Sequence, residues 1–502
     1  MTKRFELDSS MDDEELATAI EEAILAREEE DATTTTTTTT TNDTMLCCDE
    51  LHLNCIDINL DVATAVTRLI LSSKSRGGGG WKSIELEECT GRVDFIMSVI
   101  MTHAIVRRVK VTTFGLDRLD ETTLFAIAVG MQQLRQRHHH HNSDERTTTI
   151  NNTSSMSELI LSATLTEDDA QILAEGIAKT TTLRRLCLLD SNLDQQVAET
   201  LASQGFQYNT SLHEFGLVAC GQSDEWLETL LQSFRDHPCL ERLDLRCLGM
   251  VSGNLAPVAS LLEHKTCGLT SIDLSFKGGC VDVPLDLTQF ATALQNRNVQ
   301  GLSMKLQHLH LCSLLLTDDD MDCVMDACIQ ASSTLETLNL SLNKITDVGI
   351  VHSIAPKIAN NELRLKNIYL DGNAFHKNGA SALRDALKTN TNVEKIRIPT
   401  QYEEIQHELD YYGRLNRGGR RLVFVRGKEH DGNRIHCHDN VQQSNSNTRV
   451  LSAALQLQPI CIPIALWSFV LGRANRLNFE NMAYQVDVIY CLLRNGPLMF
   501  PV

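Results

Sequence analysis

The chain has 502 residues, 42% of them hydrophobic, and a formal net charge of −20, which suits several domains or one long repeat array able to bury a core. Fifteen acids against three bases in residues 1–50, with no basic groove elsewhere, exclude nucleic acid as a partner. The sixteen cysteines show neither metal-ligand nor disulfide-framework spacing, so reduced thiols in the cytoplasm or nucleus are expected.

Residues 1–45 read as a disordered acidic arm carrying one helix, from about 12 to 30, and then the tract Thr33 to Thr41, which can bury nothing and serves as a tether. The helix, DDEELATAIEEAILAREEE, sets Leu16, Ala19, Ile20, Ala23 and Ile24 on one face behind the acids Asp13, Glu14 and Glu15. It resembles the ubiquitin-interacting motif, with Ala23 standing where that family has serine. The resemblance implies ubiquitin as a partner, through Leu16, Ala19 and Ile20.

From residue 46 to about 400 one pattern recurs, clearest in LETLNLSLNKI from Leu335: L-x-x-L-x-L-x-x-N-x-L. Copies begin at Met156, Leu183, Leu212, Leu240, Leu269, Leu306, Leu335, Leu365 and Val393, separated by 27, 29, 28, 29, 37, 29, 30 and 28 residues. Weaker copies precede them at Leu51, Trp81 and Val106, which makes about eleven repeats and a final strand. Inserts near 74–80, 136–155 and 277–285 account for the irregular intervals. Alternation at Leu338 and Leu340 predicts a short strand with both leucines inward and Asn339 outward. Asn343 and Asn373 fall where the chain leaves the strand and needs a side chain that bonds backbone groups; Cys89 and Cys220 take that place in other copies. Between strands, Ala170, Leu173, Ala174 and Ile177, and likewise Ala380, Leu383 and Leu387, predict an amphipathic helix. A strand and a helix in every 28 or 29 residues resemble the leucine-rich repeat of the ribonuclease-inhibitor type. The expected fold class is therefore α/β: a solenoid of parallel inner strands and outer helices, curved into a horseshoe.

Residues 401–502 read as a helical cap and extension. Ile405, Leu409, Tyr412 and Leu415 share one helix face, a polar loop covers 426–450, and two apolar helices follow. The run PICIPIALWSFVLG at 459–472 is too short and too proline-broken to cross a bilayer, so no membrane association is expected. The segment Tyr412 to Arg420 resembles Y-x-x-L-N-R-x-G-R in uncharacterised leucine-rich-repeat proteins of diatoms and related algae.

No phosphate loop, dinucleotide fingerprint, zinc-protease helix or nucleophile elbow occurs. The histidines His138 to His141 and the HCH at 436–438 sit in polar, low-complexity surroundings and read as loop residues. No enzyme activity, cofactor or metal site is expected. The solenoid offers its strand face instead, with outward positions Arg185, Glu214, Arg242, Asp244, Arg246, Asp273, His308, His310, Asn339, Asn367, Tyr369 and Asp371. These mixed-sign groups suit a folded protein partner. The expected function is a non-catalytic scaffold or regulator. A ubiquitin-linked adaptor is the alternative, and a GTPase-activating protein of the Ran type, which has this repeat, a further one.

Overall fold

The computed structural model describes residues 3–8, 15–24, 48–72, 81–139 and 156–418, apart from short breaks inside those ranges. The chain divides into two compact units, residues 1–314 and 315–502. The first contains β1 (Lys3–Asp8), β2 (Cys48–Asn54), β3 (Asp57–Ile58), β4 (Ser83–Glu87), β5 (Thr90–Gly91), β6 (Arg108–Thr112), β7 (Glu158–Ser162), β8 (Arg185–Leu189), β9 (Glu214–Val218), β10 (Arg242–Asp244), β11 (Ser271–Asp273) and β12 (His308–His310). The short β3 and β5 pair with each other. The remaining strands lie side by side in chain order, every pair parallel. The second unit contains β13 (Thr337–Asn339), β14 (Asn367–Tyr369) and β15 (Lys395–Arg397), again parallel and in chain order. Parallel neighbours need a crossover between them. Helices such as Glu167–Lys179 and Lys377–Thr389 supply it.

The alternation of side chains along each strand builds the core. Leu159 and Leu161, Leu186 and Leu188, and Phe215 and Leu217 are all buried in the first unit, as are Leu338 and Leu340 in the second. The helices meet them with Ala170, Leu173, Ala174 and Ile177, and with Ala380, Leu383 and Leu387. Where leucine does not fill the first unit, the rings of Phe206, Phe215 and Phe234 do, each centroid 4.9 Å from the other two.

The asparagine of the pattern closes the turn after the strand. In the second unit Asn373 donates through Nδ2 to the carbonyls of Leu340 (2.8 Å) and Leu370 (3.0 Å), and its Oδ1 accepts from the Ile345 N–H (3.2 Å). Asn343 does the same one repeat earlier, donating to the Leu340 carbonyl and accepting from the Leu316 N–H. In the first unit Cys220 donates its thiol to the carbonyls of Leu188 and Val218, and Cys89 donates to those of Leu53 and Glu87. A second ladder holds the helices of the second unit. Asp318 Oδ1 accepts from the N–H groups of Thr346 and Gly349, and Asp347 Oδ1 from those of His376 and Gly379. One repeat thus caps the next helix, where orphan N–H groups need acceptors.

Three expectations change. The first concerns the arm at 1–45: its residues 3–8 form β1 against β2, and the described residues between 15 and 24 are helical. The apolar pattern that suggested an isolated helix is instead the buried side of one more strand-and-helix unit, with Leu7, Leu16, Ile20 and Ile24 inside. The second is the insert at 136–155: the helix Glu121–His139 runs into it, so His138 and His139 are helical. The third is the cap helix Glu403–Arg417, which buries Ile405, Leu409, Gly413 and Asn416, while Tyr412 and Leu415 stay half-buried. Gly413 lies so close to the Glu394 carbonyl that no side chain fits there. The tether Thr33 to Thr41, the inserts at 74–80 and 277–285, the loop at 426–450 and the helices expected after it lie outside the described residues.

Candidate protein-binding strand face

Outward positions on successive parallel strands stand in rows. In the first unit one row reads Arg108, Glu158, Arg185, Glu214, Arg242, Ser271 and His308. Its charges alternate in sign and pair along the row. Glu158 meets Arg108 at 3.5 Å and Arg185 at 2.7 Å, and Glu214 meets Arg185 at 2.8 Å and Arg242 at 3.5 Å. These pairs are partly exposed to solvent, and pairs at the surface stabilise by only about 0–1 kcal/mol each. Arg242 is the open end, its side chain 64% exposed.

The adjoining row reads Ile160, Cys187, Gly216, Asp244, Asp273 and His310. Ile160 and Cys187 are buried. A Cβ on Gly216 would stand 3.0 Å from the Cys187 sulfur, so glycine keeps this floor low. Beside it Arg246 makes a two-pronged bond to Asp244, at 2.8 and 2.7 Å, and reaches towards Asp273 at 3.7 Å. Arg246 and Asp244 therefore present one fixed dipole and not two free charges.

Sequence reasoning missed Arg108 and Glu158, although the alternation of sign at the first strand position of successive repeats was there to find them. It also missed a cluster on β1, β2, β4 and β6. His52, buried, lies 3.2 Å from Glu6 through Nδ1 and 2.8 Å from Glu87 through Nε2, and Lys110 donates to Glu87 at 2.9 Å. The Lys110 bond holds the Glu87 carboxyl below its usual range, against the opposing effect of burial. Only the register of strands far apart in sequence assembles these four.

In the second unit the rows read Thr337, Asn367, Lys395 and Asn339, Tyr369, Arg397, with Asp371 just beyond. The Lys395 ammonium sits 5.0 Å from the centroid of the Tyr369 ring, a cation–π contact between neighbouring strands. Asn367 donates to the Thr337 hydroxyl at 3.3 Å, and Asn339 accepts from the Ser341 N–H at 3.0 Å. The structure thus sets Arg185, Glu214, Arg242, Asp244, Arg246, Asp273, His308 and His310 on one unit's face, and Asn339, Asn367, Tyr369 and Asp371 on the other's. The ubiquitin-contact residues fare differently: Leu16 and Ile20 point inward at 2% and 0% exposure, and Ala19 is half-buried.

Four of the described thiols are shifted well away from ionisation. Burial pushes Cys89 and Cys187 up to about 11, and Cys220 and Cys328 up to about 12, so all four stay protonated at neutral pH. Among the described residues no three His, Cys, Asp or Glu side chains gather as a metal site, and no helix is long and apolar enough to cross a membrane. A groove of about 780 Å³ lies beside the helices of the first unit, lined by Phe206, Asn209, Gln232, Asp236 and His237 among others. His237 holds the place that Asn209 has one repeat earlier. Asn209 donates to the Ile177 carbonyl at 2.7 Å, whereas the buried Nε2 of His237 has no partner among the described residues. Burial, helped by His213, takes the His237 imidazole down to about 4, so it is neutral at physiological pH. No protein-family model matches the chain, and neither does any curated protein.

Proposed function

We propose that the chain is a leucine-rich-repeat protein of the ribonuclease-inhibitor type that binds another protein through its strand face and performs no catalysis. The observation that carries this reading is the set of outward rows, where charged and hydrogen-bonding residues from successive repeats stand in register above a closed aliphatic core. Arg242 and Tyr369 are the anchors, since Arg and Tyr supply large contacts at little ordering cost. The surrounding ion pairs set orientation and association rate more than affinity. The cytoplasm and nucleus, where thiols stay reduced, are the compartments that fit this reading. A ubiquitin-linked role through Leu16 and Ile20 would require residues 15–24 to leave the array first.

The test is a paired capture from native extract with full-length baits. One carries Arg242→Ala and Tyr369→Ala, the other carries Glu175→Ala and Lys179→Ala on a crossover helix. A protein retained by the wild type and by the helix variant, but lost from the strand-face variant, supports the reading. Equal retention by all three refutes it.

A further inference from the structure

The edge strands β1 of the first unit and β15 of the second are finished differently. The outer edge of β15 is met by the helix Glu403–Arg417. Gln406 donates to the Ile396 carbonyl at 2.8 Å and accepts from the Ile398 N–H at 3.0 Å, while Asn416 donates to the Val393 carbonyl at 2.7 Å. These side chains answer the groups that a bare strand leaves open. In the first unit β1 comes first in the strand order, and no described strand pairs with its outer edge. A parallel sheet with an open edge is a ready template for one more strand.

The sequence of β1, Lys-Arg-Phe-Glu-Leu-Asp, says which strand that is. It is basic at its start and acidic at its end, so it complements itself when two copies run antiparallel. Residues directly opposite in an antiparallel pair share a face, so only registers joining residues of like parity keep both sheets continuous. With Phe5 on the two-fold axis, Arg4 of each copy stands opposite Glu6 of the other and Phe5 opposite Phe5. With Glu6 on the axis, two carboxylates would face each other, which is unfavourable. Both residues are accessible at this edge: Phe5 is half-exposed, and Glu6 stays 53% exposed although its carboxylate reaches His52.

We propose that β1 is a self-association edge, and that two copies of the chain pair antiparallel through it about a two-fold axis at Phe5. The same patch then serves both partners, as a two-fold interface requires. Two six-residue edges bury less than the ~1,200 Å² of a stable specific interface. The dimer is accordingly weak and concentration-dependent, and it leaves the strand face open.

The experiment is sedimentation of the full chain across roughly 1 to 200 µM, a span that brackets micromolar affinity. Three samples join the wild type: Arg4→Glu, Glu6→Arg, and the two variants mixed in equal amounts. Each variant alone sets like charges opposite each other twice, and its dimerisation weakens about tenfold or more. In the mixture the Arg4→Glu chain brings acids at both positions and the Glu6→Arg chain brings bases at both. Opposite charges then face each other at each contact, so association returns as a heterodimer. Circular dichroism checks that both variants fold, and recovery in the mixture cannot come from misfolding. A wild type monomeric throughout, a dimer indifferent to both variants, or a mixture that fails to associate each overturns the proposal.

Discussion

Replacing Asn373 with alanine tests the ladder that holds the turns. The side chain is buried and makes three backbone hydrogen bonds, to the carbonyls of Leu340 and Leu370 and from the N–H of Ile345. The Leu340 carbonyl keeps a second donor in Asn343 at 2.9 Å, so two buried groups lose the bond Asn373 gave them. Each such group costs about 1–3 kcal/mol, which puts the loss at about 2–6 kcal/mol. Asn373→Cys grades the effect, because a thiol can donate as Cys220 does but offers the Ile345 N–H a poor acceptor; its loss should be about half. Hydrogen exchange by mass spectrometry reads the region directly, and urea unfolding of the full chain gives the magnitude. In a repeat array, exchange should rise around residues 340–375 before distant segments respond. If Asn373→Ala lies within about 0.5 kcal/mol of the wild type and the Ile345 amide keeps its protection, the ladder does not hold the turns as argued.

Other consequences follow from single residues. His237→Asn should regain the donor geometry of Asn209 and raise stability by about 1 kcal/mol; a lower urea midpoint would show that the imidazole packing on Phe234 matters more. Gly413→Ala forces a Cβ into the Glu394 carbonyl and should cost about 1–3 kcal/mol, seen as faster exchange at the Ile396 and Ile398 amides; unchanged exchange would mean that the cap helix can shift freely. Glu87 is held low by Lys110, so its contribution exists above the ordinary glutamate value of about 4.3 and fades as pH falls through and below it. Lys110→Met should therefore destabilise at pH ~7 and converge with the wild type towards pH ~3; a gap that stays constant with pH would place the lysine's effect elsewhere.

The sequence by itself determined the parallel strands, their inward leucines and the crossover helices. Those depend on residues near in sequence: Leu338 and Leu340 two apart, Leu383 and Leu387 four apart, and a copy some 28 residues on. A repeat buries its core only against its neighbours, so the period alone implied the stacking. The outward positions were legible for the same reason, since alternation places Arg242 or Tyr369 outside as surely as it places Leu243 or Leu370 inside. What each of those side chains touches was not. Asp244 is engaged by Arg246, Glu214 is shared by two arginines, and His52 lies between glutamates 46 residues before it and 35 after it.

Tertiary structure alone decided the fate of the amino-terminal residues. An acidic helix with Leu16 and Ile20 on one side looks the same whether that side awaits a partner or is already covered. In the fold that side is already buried, with Leu16, Ile20 and Ile24 inside. At the other end the pattern predicted a cap helix, but only proximity to Glu394 makes Gly413 necessary and only the open edge of β15 gives Gln406 and Asn416 their task. Periodicity reports which face a residue takes, because the backbone sets that locally. It carries no record of which distant group waits on that face, because such contacts depend on how the repeats align in space.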